Sequence, residues 1–487
     1  MRFPLAFLFD KTESETKVAN RHILSYAVGL TGQNMTYSYI SSWLRYFCIN
    51  ILKINSETVG LIFGASHIWD AINDPLIGAY VDKRKHKPYR KLRPFLLYTP
   101  PIIGVLSAMM FLDISSIVHT ESKAPYVIYI IAIYFIWDLI YSFQDVGLWG
   151  MIALSSPASE ERARVAQWVS IGAGAGGAIA GIFQQLRQFC LNAGLNDAQI
   201  FFMFALVFGL GGELISMLAY RIPERIENKP QEENIFQSIA VLRHNPTLLL
   251  ISLARFSMAF SPKVQAAYFF ENKITFMNGK TAEFVYGFCA GIPGTFATFF
   301  ANKIAKKVGG MKKLLIISQL AAIAMRLIAF KVGYNSIGQF IAMIILMGIM
   351  NLPGSLMDIA HRSLTSNSID EVEYKTGLRS EGVSFSMQNF TTKLTSGVAS
   401  VIEGQLLGKH FLNYDPVARE QGLPQNEVFL KWQWPMYMLG PIVGAVLYLI
   451  VISFVKDDKD KRLKIEEELK QRRALALAEQ SKEAALS

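Results

Sequence analysis

Charged residues are scarce in this sequence: they fill 18% of its 487 positions, against about 25% in an ordinary soluble chain. Apolar stretches of about 20 residues, the length that crosses a bilayer core, recur from end to end instead. Twelve lie between Arg21 and Lys456, near 22–50, 57–81, 95–114, 125–153, 163–189, 198–220, 246–271, 282–305, 312–331, 336–362, 381–407 and 431–455. A soluble helical core could not supply partners for so many apolar helices. Cysteine is almost missing: Cys48, Cys190 and Cys289 fit no metal spacing and read as small apolar residues. There is no Gly-rich phosphate loop, HExxH, nucleophile elbow or Cys/His cluster, which removes the usual enzyme classes and their cofactors. The apolar run at 1–10 is too short for a secretory signal, lacks a cleavage site and reads as a cytoplasmic lead-in.

The net charge of +10 is distributed as a topology signal rather than a nucleic-acid surface. Lys83, Arg84, Lys85, Lys87, Arg90, Lys91 and Arg93 fill the connection after the second apolar stretch. Lys303, Lys306, Lys307, Lys312 and Lys313 fill the one after the eighth. Odd-numbered connections carry few, among them Lys53, Lys123 and Lys331. Excess Lys and Arg marks the cytoplasmic side, so both termini are expected there.

A long polar gap, RIPERIENKPQEEN, follows the sixth stretch. It divides the chain into a bundle over 1–220, a cytoplasmic loop over 221–245 and a second bundle over 246–455. The basic loops after stretches two and eight occupy equivalent places in the halves, a weak internal repeat of the kind carriers show. The connection between stretches eleven and twelve reads as a short surface loop. Residues 456–487 form a charged, helix-prone cytoplasmic tail. The fold class is therefore an all-α membrane protein of twelve transmembrane helices in two six-helix bundles.

Ionisable groups within such helices need a local reason. Asp70 and Asp74 are four residues apart and share one helix face, with Asn73 beside them. Two adjacent carboxylates repel unless a cation lies between them or one is protonated; oxygen ligands of this kind suit Na⁺ or Li⁺, and carboxylates alone would serve H⁺. The competing reading is hydrogen bonding to neighbouring helices. In the fourth stretch Asp138, Asp145 and Trp149 form one stripe, and Ser142 lies three before Asp145. An aromatic face beside a carboxylate suits a sugar ring, although such a ring also serves as plain packing. Lys393, with Gln388 and Asn389 near it, stands well inside the eleventh stretch, where snorkelling is the alternative. Gly172, Gly176, Gly177 and Gly181 form a close-packing face in the fifth.

Three segments give the chain a family resemblance: WDAINDP with the basic loop ending in KLRPF, DVGLWGM, and DEVEYKTGLRSEG leading to Lys393. Through them the sequence resembles the glycoside–pentoside–hexuronide:cation symporters, relatives of melibiose permease within the major facilitator superfamily. The resemblance implies the major facilitator fold in a bacterial inner membrane. It implies a cation site from Asp70, Asn73, Asp74 and Ser142, with Na⁺ favoured by the retained amide and hydroxyl. It implies that Asp145 and Trp149 touch the sugar, approached by Gln388, Asn389 and Lys393. Arg162, Asp370, Glu373, Arg379 and Glu381 resemble the family's cytoplasmic ionic gate.

Two departures stand at expected sugar contacts. Gln33–Asn34 occupies the place of a Lys–Asp pair, and Ser170 that of an Arg. Arg255, Lys263, Arg326, Asp358 and His361 lie outside the shared segments. With an acidic group lost at Asn34 and basic groups kept in the second half, an acidic solute such as a hexuronide is the direction indicated; structural pairing of those charges is the alternative. The expected partners are thus a small glycoside, a monovalent coupling cation and the lipid bilayer. The alternatives are a carrier of a lipid-like amphiphile on the same fold, or a membrane sensor.

Overall fold

The computed structural model describes residues 17–83, 90–116, 118, 122–156, 158–225, 245–297, 304, 307–354, 356–376, 381–421, 423–456, 464–465, 467–469 and 471. Among these the regular structure is entirely helical. The chain forms two compact units: Met1–Gln231 with Tyr414–Gln425, and Glu232–Asn413 with Asn426–Ser487. Most of the expected middle loop and of the tail lies outside the described residues, as does the densest part of the basic loop at 84–89.

In the first unit, α1 (Asn20–Asn50), α2 (Ser56–Lys83), α3 (Phe95–Met110), α4 (Ala124–Leu154) and α5 (Ser159–Gly181) follow the first five apolar stretches. A further helix, α6 (Phe183–Asn192), continues the fifth after a bend at Ile182. The sixth stretch begins at α7 (Asp197–Phe204), whose Asn196 cap is reciprocated by Gln199. It then widens into a π-helical turn, Ala205–Gly211, before α8 (Gly212–Ser216) and a 3₁₀ end at Met217–Arg221.

Glycine sets the closest contact in this unit. A Cβ on Gly172 would be driven into the carbonyl of Ala27, and one on Gly176 into that of Thr31, while Thr31 Oγ1 donates to Gly172 O at 2.9 Å. The small-residue face of α5 thus packs on α1, but only through its first part, because among the described residues nothing stands within 4 Å of a Cβ at Gly181.

The polarity of α2 is reversed relative to a soluble helix. Asp70 and Asn73 are 8% and 4% exposed, whereas Ile72 and Leu76 are 53% and 64% exposed. Apolar residues facing outward around a polar interior are what a lipid solvent selects. Among the described residues five helical runs are long and apolar enough to cross a membrane: Ala124–Leu154, Arg164–Asn192, Asp197–Arg221, Met311–Val332 and Glu427–Ser453. Three shorter apolar ones accompany them.

Arg187 is wholly buried, and its guanidinium makes a fork of 2.8 and 2.7 Å to the Asp197 carboxylate. It lies over the rings of Tyr46 and Phe201. The connection expected to be a surface loop at 414–425 packs into this same unit. Tyr414 Oη donates to Asn50 Oδ1 at 2.7 Å, Lys53 Nζ donates to Pro416 O at 3.0 Å, and Arg419 reaches Asp197 at 3.6 Å. Its one-turn helix, Pro416–Glu420, is capped by Asp415. Asp197→Ala leaves Arg187 buried without its carboxylate. A loss of about 3 kcal/mol is expected, the low end for a broken buried pair because Asp197 is partly exposed. A lowered melting temperature in thermal unfolding checks it.

The second unit holds α9 (Pro246–Ser257), α10 (Ala266–Lys273), α11 (Gly279–Ala297), α12 (Met311–Val332), α13 (Ile337–Gly354), α14 (Met357–Thr376), α15 (Glu381–Leu407), α16 (Glu427–Met438) and α17 (Gly440–Ser453). One core gathers Ile251, Leu315, Leu364 and Tyr448, and another Phe269, Phe270, Phe340 and Trp434. The seventh, tenth and twelfth stretches are each interrupted, between α9 and α10, α13 and α14, and α16 and α17. The tenth runs to Thr376 rather than ending near 362, so Asp370 and Glu373 stand on a helix.

Candidate functional site

The first unit brings α1, α2 and α4 together around a row of polar side chains. Buried Asp70 and Asn73 and half-buried Asp74 come from α2. His67 Nδ1 lies 3.5 Å from Asp70, one turn earlier. From α4, the buried hydroxyl of Ser142 donates to Asp74 Oδ1 at 3.1 Å. The Nδ2 group of Asn73 is buried without a hydrogen-bond partner. Among the described residues no group of three or more His, Cys, Asp or Glu side chains is placed to hold a metal ion. Two carboxylates with an amide and a hydroxyl are an all-oxygen set, of the kind hard cations take.

One turn beyond Ser142 stands Asp145. Its Oδ1 accepts from Trp149 Nε1 at 3.1 Å and from Gln33 Nε2 at 3.3 Å. Gln33 also donates to Tyr141 Oη, and Tyr141 stacks between Trp137 at 4.6 Å and Tyr37 at 5.7 Å. Trp149 is 41% exposed, leaving ring surface open beside the carboxylate. The row therefore runs from Asp70 and Asp74 on α2 through Ser142 to Asp145 and Trp149, all three on α4. Asp138, expected on the same stripe, is buried.

Gln33, noted in the sequence only as a departure, is the α1 residue that reaches Asp145. Asn34, the expected contact, donates to Leu30 O at 3.1 Å and to Gln33 Oε1 at 2.7 Å, steadying Gln33. Ser170 is exposed, with its hydroxyl donating to Ala166 O at 2.8 Å on its own helix. The sequence reading also passed over Glu213. This carboxyl is wholly buried on α8 and accepts from Gln144 Nε2 at 2.6 Å and Ser216 Oγ at 3.0 Å. Gln144 precedes Asp145, so this peg fixes the rotation of α4 that turns Asp145 toward Gln33. A lone Glu inside the sixth apolar stretch was the available signal.

In the second unit, Gln388 on α15 is buried and donates to Ser252 Oγ of α9 at 2.9 Å, leaving its Oε1 without a partner. Asn389 is exposed and Lys393 half-buried. His361 is a structural residue, its ring bridging Met357 O at 2.8 Å and Tyr448 Oη at 2.9 Å. Among the gate residues, Arg162 donates to Ser156 O at 3.0 Å, and Asp370 and Glu373 are half-buried on α14. Arg379 lies outside the described residues, as do the side chains of Glu381 and Asp358.

The sequence profile described as MFS/sugar transport protein matches residues 25–459. An uncharacterized symporter, YjmB, of Bacillus subtilis is 26% identical over 93% of this chain and 96% of its own length. A putative sulfoquinovose importer of Escherichia coli is 22% identical over 98% and 99%. In structure the chain is similar to a bacterial homologue of the lysosomal transporter Spinster, with a TM-score of 0.59 at 14% identity over 92% of this chain and 97% of that one. That likeness fixes the fold and agrees with a profile that leaves only the two ends unmatched. The chain belongs to the MFS/sugar transport protein family and is a membrane transporter, not an enzyme.

Proposed function

We propose that the chain is a cation-coupled symporter of a sugar-like solute, with Na⁺ as the coupling ion, working by alternating access between its two bundles. The observation that carries this is the Asp74–Ser142 hydrogen bond at 3.1 Å, one helical turn from Asp145, whose carboxylate holds Trp149 at 3.1 Å. A cation among Asp70, Asn73, Asp74 and Ser142 neutralises the two carboxylates and takes the side-chain oxygens of Asn73 and Ser142 as its neutral ligands. In doing so it sets the Ser142 hydroxyl, and with it the face of α4 that offers Asp145 and Trp149 to a sugar. Hydroxyls bond to the carboxylate while C–H groups lie on the indole.

Gln388, Asn389 and Lys393 serve the solute from the second bundle, and Arg162, Asp370, Glu373, Arg379 and Glu381 the cytoplasmic gate. Both termini face the cytoplasm of a bacterial cell, as the basic even-numbered connections direct. An acidic sugar is the favoured cargo. Supporting this are the absence of an acid at Asn34, the basic residues of the second half, and a relative described as a putative sulfoquinovose importer.

Uptake of glucuronate and of a neutral methyl glucoside into proteoliposomes tests the reading. Accumulation driven by an inward Na⁺ gradient, with glucuronate preferred, is the expected outcome. Equal uptake with and without the gradient contradicts the coupling, and uptake of the neutral sugar alone contradicts the preference.

A further inference from the structure

The second unit contains a cavity of about 160 Å³ apart from the polar row of the first unit, and of the basic residues named above it holds Arg326. Met258, Gln319, Arg326, Asn351, Met357 and Pro441 are among the residues around it. Three helix interruptions meet here. Met258 opens the 3₁₀ turn that follows α9, Met357 opens α14 just after α13 has ended at Gly354, and Pro441 is the second residue of α17. In a bilayer, interrupted helices are tolerated where they are buried in protein or line a water-filled cavity, and carriers place ligand sites at such breaks.

The polar groups facing this space are poorly satisfied. Arg326 comes from the middle of α12, and its one hydrogen bond is a 3.3 Å contact to Tyr437 O. Among the described residues it makes no ion pair. A guanidinium has five N–H donors in a rigid fork, so most of its donating capacity is open. The amide of Gln319, 3% exposed, finds only thioethers: Met357 Sδ at 3.2 Å and Met258 Sδ at 4.0 Å. Sulfur is a weak acceptor. Asn351 uses Nδ2 on Ala290 O at 2.8 Å, which leaves its own oxygen available. Ser318 also lines the space but spends its hydroxyl on Leu314 O at 2.7 Å, and Pro441, Ile442 and Ala445 form an apolar wall.

A cation that meets no carboxylate among the described residues, next to an amide held there only by sulfur, is the complement of an anion. We infer that this cavity is an anion subsite, taking the carboxylate or sulfonate of a small organic acid on Arg326. Hydroxyls of the same molecule bond to Gln319 and Asn351, and its carbons lie on the Pro441–Ala445 wall. A planar acid meets a planar fork here, so Lys is a poor substitute. The hydroxylated body rests on the proposed reading of the chain as a sugar carrier; the acid end does not.

Calorimetric titration of the purified full chain with glucuronate, neutral methyl glucoside and lactate tests it. Glucuronate is expected to bind at least about tenfold tighter than the glucoside, the discrimination of a charge-assisted hydrogen bond. Arg326→Gln is expected to erase that ratio and Arg326→Lys to restore it only in part. Should Arg326→Gln fail to fold, Gln319→Leu keeps the guanidinium and is expected to weaken glucuronate severalfold. An equal affinity of the wild type for the two sugars overturns the inference, as does a ratio that survives in Arg326→Gln or an unchanged glucuronate affinity in Gln319→Leu. Lactate binding that depends on Arg326 while neither sugar binds would keep the anion site and sink the sugar-carrier reading instead.

Discussion

Asp74→Asn is expected to reduce Na⁺-driven uptake to background while leaving the protein folded. The asparagine keeps the shape of the side chain and an oxygen for the 3.1 Å hydrogen bond from Ser142, so packing between α2 and α4 is retained. What is lost is a charge. A carboxylate about 4 Å from a cation contributes about 4 kcal/mol at an effective dielectric constant near 20, roughly a thousandfold in affinity. The same substitution also removes the repulsion between Asp70 and Asp74, so its melting temperature is expected to equal or exceed that of the wild type. Radiolabelled Na⁺ binding and solute uptake, measured on one preparation, check both parts. Undiminished gradient-driven uptake in the variant would move the coupling site away from α2.

Asp145→Ala is expected to weaken solute binding by about ten- to a hundredfold, the range of a hydrogen bond to a charged group, with Na⁺ affinity changed by far less. The carboxylate acts twice. It is the acceptor for sugar hydroxyls, and it holds Trp149 Nε1 at 3.1 Å and Gln33 Nε2 at 3.3 Å in place beside them. Trp149→Phe keeps a ring for the sugar's C–H face and loses only the N–H, so a smaller decrease is expected. Titration of the two variants with solute and with Na⁺ separates these roles. A larger effect of Asp145→Ala on Na⁺ than on solute would assign Asp145 to the ion instead.

Much of this architecture is legible in the sequence because lipid imposes a simple rule on composition. Wherever the chain crosses a bilayer it must be apolar outside, so Asp70, Asn73, Asp74 and Asp145 stand out as exceptions that need partners. Their spacing on α2 and α4 follows from helical geometry alone. What that geometry leaves open is which neighbour each face meets. Gln33 and Asn34 are adjacent in sequence, and only the packing of α1 decides that Gln33 turns to Asp145 and Asn34 back to Leu30. Likewise Gln144 and Glu213 look unrelated until α8 lies against α4.

Helix interruptions behave the same way. Gly354 and Pro441 stand in the sequence as helix breakers, yet their effect depends on where the breaks meet in space, which is around the cavity at Arg326. The strap at 414–425 belongs to a connection that the sequence alone presents as a short surface loop. Tyr414 and Lys53, more than 350 positions apart in sequence, are what anchor it, through Asn50 and Pro416.

Direct coupling between the two ends of the row is the centre of the account, and a four-corner binding measurement tests it most directly. Solute affinity is measured with and without saturating Na⁺, and Na⁺ affinity with and without saturating solute. Because Ser142 joins Asp74 to the helix that presents Asp145, each ligand is expected to tighten the other by one common factor, of the order of 5- to 150-fold. That factor is expected to fall toward one in Ser142→Ala. Independent binding of Na⁺ and solute to the wild type, with a factor of one, would contradict the account.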